Sequence, residues 1–218
     1  MTTAPGPWPA RRPARRVAVA AVGGLAGCWL AGAVVSRLPS VPGIGLDAAA
    51  RAVLQPLSAV GPIDAAAQFL AVVGEQPVSI VVGLAVAAAV LVRWGVQAGL
   101  AVGLASVLSA GQVILMKAVV QRPGPVVAFF EGLGSFPSGH TANAAVLATV
   151  AGLLLRRRWA WIAGGGYVAL VAASRVVLGA HWLTDTVIGA VEGASVTLLV
   201  WAAWSAVRER IGGSATDA

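Results

Sequence analysis

Long apolar runs govern what this chain can fold into. Residues 17–36, 77–92, 95–116 and 141–155 contain no charged side chain, 160–178 contain only Arg175, and 184–207 contain only Asp185 and Glu192. A helix in water needs a polar face, whereas about 20 apolar residues in a helix span roughly 30 Å of hydrocarbon. The expected fold class is therefore all-α, an integral membrane six-helix bundle. Composition agrees, because 58% hydrophobic residues are more than one soluble core of a 218-residue chain would bury.

A net charge of +7 raises nucleic acid as a partner, but the basic residues lie in short clusters between apolar runs rather than on one face. No nucleic-acid partner is expected, and the clusters read as topology signals. With the N-terminus inside, Arg11, Arg12, Arg15, Arg16, Arg93, Arg156, Arg157, Arg158, Arg208 and Arg210 fall on the inner side, ten of the fifteen basic residues. Arg37, Arg51, Lys117, Arg122 and Arg175 fall outside. That asymmetry predicts a multi-pass protein of the cell membrane with both termini cytoplasmic. Trp94, Trp159, Trp161, Trp201 and Trp204 lie near the inner ends and are expected to form an aromatic belt.

The domain reading follows. Residues 1–16 are a basic cytoplasmic N-terminus, 17–207 one six-span domain with its motif-bearing core at 77–207, and 208–218 a cytoplasmic tail. The first run exceeds the apolar part of a cleaved signal and reads as a signal-anchor. The outer segment 37–76, punctuated by prolines, holds two amphipathic pieces at about 46–57 and 63–73, expected at the interface or packed on the bundle. Ser106, Ser109 and Gln112 read as interhelical polar contacts, and the lone Cys28 can form no intrachain disulfide.

Three short segments fall at outer span ends: "KAVVQRPGP" at 117–125, "PSGH" at 137–140 and "SRVVLGAHWLTD" at 174–185. In this order they resemble the three signature segments of the type 2 phosphatidic acid phosphatase family, related to vanadium haloperoxidases and glucose-6-phosphatase. The family's third segment reads S-R, five residues, H, three residues, D. Ser174, Arg175, His181 and Asp185 match every spacing, and 137–140 match P-S-G-H. The first segment departs. The pattern K, six residues, R-P puts an arginine at 124, where this chain has Gly124, and only Arg122 of the family's double-arginine variant remains. Either Arg122 reaches the phosphate instead, or the site has one cation fewer.

The residues carry a chemical meaning of their own. Phosphoryl transfer spreads negative charge over equatorial oxygens, so catalysis needs fixed cations and N–H donors around them. Lys117 and Arg175 supply cations, with Arg122 a candidate third. Ser138 and Gly139 precede the fourth span, so their amides are expected near a helix N-terminus, where an anion is favoured. His181 and Asp185 are four apart, hence on one face if the sixth helix begins that early. The carboxylate can then hold one imidazole nitrogen while the other acts as nucleophile. A lone histidine near a membrane surface is ordinarily solvated and a lone aspartate often a helix cap. Against that, both histidines of the chain fall inside these segments. Phe129, Phe130 and Phe136 in the outer loop read as interfacial anchors or as walls of a lipid access path. No paired carboxylates of the kind that hold Mg²⁺ occur in the outer loops, so neither metal nor cofactor is expected.

The resemblance implies a haloperoxidase-like helical core and a metal-independent membrane lipid phosphatase. Its substrate is expected to be an amphipathic lipid phosphate or pyrophosphate in the bilayer, such as a polyprenyl pyrophosphate, phosphatidic acid or phosphatidylglycerol phosphate, met at the outer face. It further implies that His181 is the nucleophile forming a phosphohistidine and that His140 is the general acid. Two alternatives stand beside it: a lipid phosphotransferase, or a lipid-binding scaffold whose catalysis is impaired by Gly124.

Overall fold

The computed structural model describes residues 11–37, 45–126 and 133–213, so Phe129, Phe130 and Glu131 of the outer loop lie outside the described residues. Among the described residues eight α-helices follow in order: α1 Arg11–Ser36, α2 Gly45–Leu54, α3 Gly61–Gly74, α4 Gln76–Trp94, α5 Val96–Val120, α6 Gly139–Leu155, α7 Arg158–Val177 and α8 Leu183–Gly213. A 3-10 turn, Gln55–Ala59, links α2 to α3. Helices α1, α4, α5, α7 and α8 are each long and apolar enough to cross a membrane. With 17 residues, α6 reaches the lower end of that range. The protein is an all-α, multi-pass membrane protein.

Prolines set several boundaries. Pro62 and Pro77 sit in the first turns of α3 and α4, where a missing N–H costs no helical bond. Gly95, at φ 93, makes the reversal between α4 and α5 that an L side chain resists.

Helix α8 is the axis against which α1, α5 and α6 pack. Its Gly189 and Gly193 bring the backbones of α6 and α8 together. A β-carbon at Gly189 would overlap the Ser138 carbonyl, and one at Gly193 the Ala142 carbonyl. In lipid, where apolar surface drives little association, such close backbone contact is a main source of helix affinity. The glycine-rich α1 makes room at Gly24 for the Ser195 side chain of α8. Between the helices lies a core that includes Val102, Val146, Val150, Val196 and Val200.

Several expectations change at this level. Trp159 and Trp161 are exposed as a belt requires, but Trp201 is 3% exposed and belongs to the core, because its position on α8 faces the bundle. Phe136 lines no access path. It is fully buried with Cys28, Met116 and Val120, its ring set against the bare backbone of Gly32 on α1. Ser109 Oγ donates to Glu192 Oε2 across α5 and α8 at 2.8 Å, whereas Ser106 bonds back to Val102 within its own helix. The two amphipathic pieces, α2 with its 3-10 turn and α3, meet at 107° and pack on α7 and its neighbours at the motif-bearing end of the bundle.

Candidate active site

The first motif leaves α5 through a left-handed residue, Gln121 at φ 46. The chain then returns on itself, for Ser135 N donates to Arg122 O at 2.7 Å and a β-carbon at Gly134 would stand 2.7 Å from the Arg122 nitrogen. This pinch carries Lys117 to the loop, where its Nζ donates to the Gly134 carbonyl at 2.8 Å and the Ser135 carbonyl at 3.3 Å.

The second motif opens α6. Ser138 is the N-cap residue, yet its amide does not face an anion as the sequence suggests. It donates to the Asp185 carbonyl at 2.9 Å, stitching the start of α6 to that of α8. Its hydroxyl accepts from Thr141 Oγ1 at 3.2 Å. The amides of Gly139, His140 and Thr141 precede the first intrahelical donor, Ala142, and so have no acceptor within the helix.

The third motif closes α7. The carbonyl of Arg175 accepts from the amides of Ala180 and His181 at 2.9 and 3.2 Å, a tight turn that runs through Gly179 at φ 66. Because α8 starts only at Leu183, His181 and Asp185 do not share a helix face as their spacing suggests; the turn brings them together. His181 Nδ1 lies 3.6 Å from Asp185 Oδ2, and the same oxygen accepts from Trp182 N at 3.1 Å, the reach-back half of a capping box. Both side chains are buried. Burial holds His181 below the usual histidine value, the neighbouring Asp185 carboxylate opposes that shift, and the cations Lys117 and Arg175 reinforce it. The balance favours the neutral imidazole.

Arg122 is placed differently from its reading as a phosphate ligand. Its NH1 donates to Asp185 Oδ1 at 2.5 Å and Thr184 Oγ1 at 2.7 Å, and its NH2 to Asp47 Oδ2 at 2.7 Å. Two fully buried carboxylates thus claim the guanidinium. Asp47, on α2, is a residue that spacing does not reveal. Its only signal is that it is the first carboxylate in the chain, set within an amphipathic piece.

Helix α3 forms one wall of the site through its backbone. Arg175 NH2 donates to the Ala67 carbonyl at 3.2 Å, and His140 Nε2 lies 3.2 Å from the Ala71 carbonyl. At Gly74 the helix passes so near that a β-carbon would overlap the His140 ring. No sequence pattern marks these contacts, since they are made by main chain and by an absent side chain.

Lys117, Gly139, His140, Arg175, His181 and Asp185 therefore gather at one end of the bundle, and His140 lies within electrostatic range of His181, Lys117 and Arg175. Two cations, a helix N-terminus, a carboxylate-backed imidazole and a second imidazole make a set suited to an anion that must be held and attacked.

A family model described as the PAP2 superfamily matches residues 94–209. Among solved structures, the crystal structure of the first transmembrane PAP2 type phosphatidylglycerolphosphate phosphatase from Bacillus subtilis is similar in fold. It is 21% identical, with a TM-score of 0.61, covering 86% of this chain and 96% of that one. No curated protein matches the chain.

Proposed function

This chain belongs to the PAP2 superfamily, and we propose from that premise that it is a membrane phosphatase removing phosphate from an amphipathic lipid. The observation that carries the reading is the buried His181–Asp185 pair at 3.6 Å, within electrostatic reach of the cations Lys117 and Arg175. With Nδ1 turned to the carboxylate, Nε2 of the neutral imidazole is the nucleophile. It attacks phosphorus, the leaving lipid oxygen takes a proton from His140, and water then cleaves the phosphohistidine. Lys117, Arg175 and the amides at the start of α6 hold the equatorial oxygens, with Ser138 bracing that helix start against Asp185.

The reaction needs no metal or cofactor in this scheme. The positive-inside asymmetry supports an extracytoplasmic site, and an outward site favours a polyprenyl pyrophosphate over a glycerophospholipid phosphate. Purified protein should release phosphate from a panel of lipid phosphates and pyrophosphates in the presence of EDTA, and His181→Ala should abolish that release. Absence of turnover on the whole panel, or turnover unaffected by His181→Ala, defeats the proposal and favours the scaffold reading.

A further inference from the structure

We infer that Asp47 is a positioning residue that acts on His181 through Arg122 and Asp185, an inference that rests on the phosphatase reading above. Asp47 is fully buried and spends both oxygens on the motifs. Its Oδ1 accepts from Thr184 N at 2.8 Å, and its Oδ2 from Thr184 Oγ1 and Arg122 NH2, each at 2.7 Å. The Trp182 ring, 5.6 Å from the Arg122 guanidinium carbon, walls that group from another side, and Trp182 Nε1 is itself anchored to the Pro123 carbonyl at 2.9 Å. One turn beyond Asp47, Arg51 reaches the Pro125 carbonyl at 3.4 Å, so α2 is fastened twice to the segment that carries Arg122.

Charge counting gives the arrangement its purpose. Arg122 and Asp185 alone would form a neutral pair, with nothing left to favour the positive charge that grows on His181 as it is phosphorylated. A second carboxylate on the same guanidinium leaves the trio at net −1 and fixes the guanidinium between two acceptors, so that Oδ2 of Asp185 stays turned toward His181. Among the described residues, the other charged or titratable groups that act on His181 are Lys117 from α5, His140 from α6 and Arg175 from α7, all cationic when charged, while the carboxylate of Glu75, just after α3, acts on Arg175. The negative charge that reaches His181 through its own partner therefore comes from Asp185 and, behind it, Asp47.

The test compares wild type, Asp47→Asn, Asp185→Asn and the double variant in purified form. Asp47→Asn is expected to lower kcat roughly 10-fold with KM changed by less than about 2-fold, and to move the acidic limb of kcat/KM to lower pH. In the Asp185→Asn background it should have little further effect, because its route to His181 is already cut. Unchanged kcat, or losses that simply multiply in the double variant, overturns the inference. If Asp47→Asn does not fold, Thr184→Val removes the hydroxyl joining Asp47 to Arg122 at similar volume; it should lower kcat several-fold, and an unaltered kcat is equally fatal. The His181 titration followed by NMR needs no substrate. Should Asp47→Asn leave it unmoved, the positioning role fails, whereas a wild type that turns over no lipid phosphate sinks the phosphatase reading itself.

Discussion

Gly74 and His140 leave no room between them for a methyl group, since a β-carbon on Gly74 would overlap Cδ2 of the imidazole. Gly74→Ala should therefore displace the His140 ring while leaving α3 at least as helical as before. Loss of a positioned general acid costs on the order of 100-fold or more in kcat. The expected signature is a large fall in turnover with little change in Tm; a Gly74→Ala protein with wild-type kcat would remove His140 from the proposed chemistry.

Arg122 is the shared partner of two carboxylates that have no contact with water. Its replacement by Met leaves them facing each other in a buried site, a loss of about 3–5 kcal/mol. Unfolding in detergent should show this as a marked fall in Tm. Arg122→Lys should recover only part of it, because one ammonium cannot span Asp47 and Asp185 as a planar fork does. Equal stability of Arg122→Met and wild type would show that the clamp contributes nothing.

The acidic limb of kcat/KM reports the free enzyme's base, which in the proposed mechanism is His181. Its value is held below the 6.5 of an unperturbed histidine, first by burial. The limb should accordingly lie below pH 6.5. Asp185→Asn, which removes the group opposing that shift, should lower the plateau and move the limb lower still. The same sign holds for stability: a histidine that resists protonation when folded makes the fold weaker as pH falls through its unfolded value. A limb above pH 6.5 in the wild type excludes His181 as the base that controls it.

Gly193 carries the close approach of α6 to α8, where an added β-carbon meets the Ala142 carbonyl rather than a movable side chain. Gly193→Val should cost at least about 1–3 kcal/mol by overpacking and should part Ser138 from Asp185. Thermal unfolding and turnover should both suffer, in contrast to Gly74→Ala. Gly166, with no atom near its built β-carbon, is the control, and Gly166→Ala should be close to neutral in both.

Sequence was a good guide wherever a local pattern carries the information. The third apolar run, read as 95–116, is α5 at Val96–Val120, and the three motifs do converge. It misled where a partner far along the chain decides. Nothing near Arg122 says that Asp47 will take half its guanidinium, and nothing near Ser138 says that its amide will be spent on the Asp185 carbonyl. The start of α8 illustrates the same limit. An i, i+4 spacing fits a helix face, but the bonds of Ala180 and His181 to the Arg175 carbonyl turn it into a loop contact. Trp201 and Phe136 were misplaced because hydropathy does not distinguish a lipid-facing ring from a core ring.

The wall that α3 lends the site has a further consequence. Ala67, Ala71 and Gly74, like Asp47, come before residue 94, where the family match begins. The recognisable motifs therefore travel with one part of the chain and the surface that presses on them with another. A chimera joining the front part of one superfamily member to the motif-bearing part of another would keep every signature residue. It would still assemble a mixed chamber, so the preceding segment is a lever on how Arg175 and His140 are held that the motifs alone do not set.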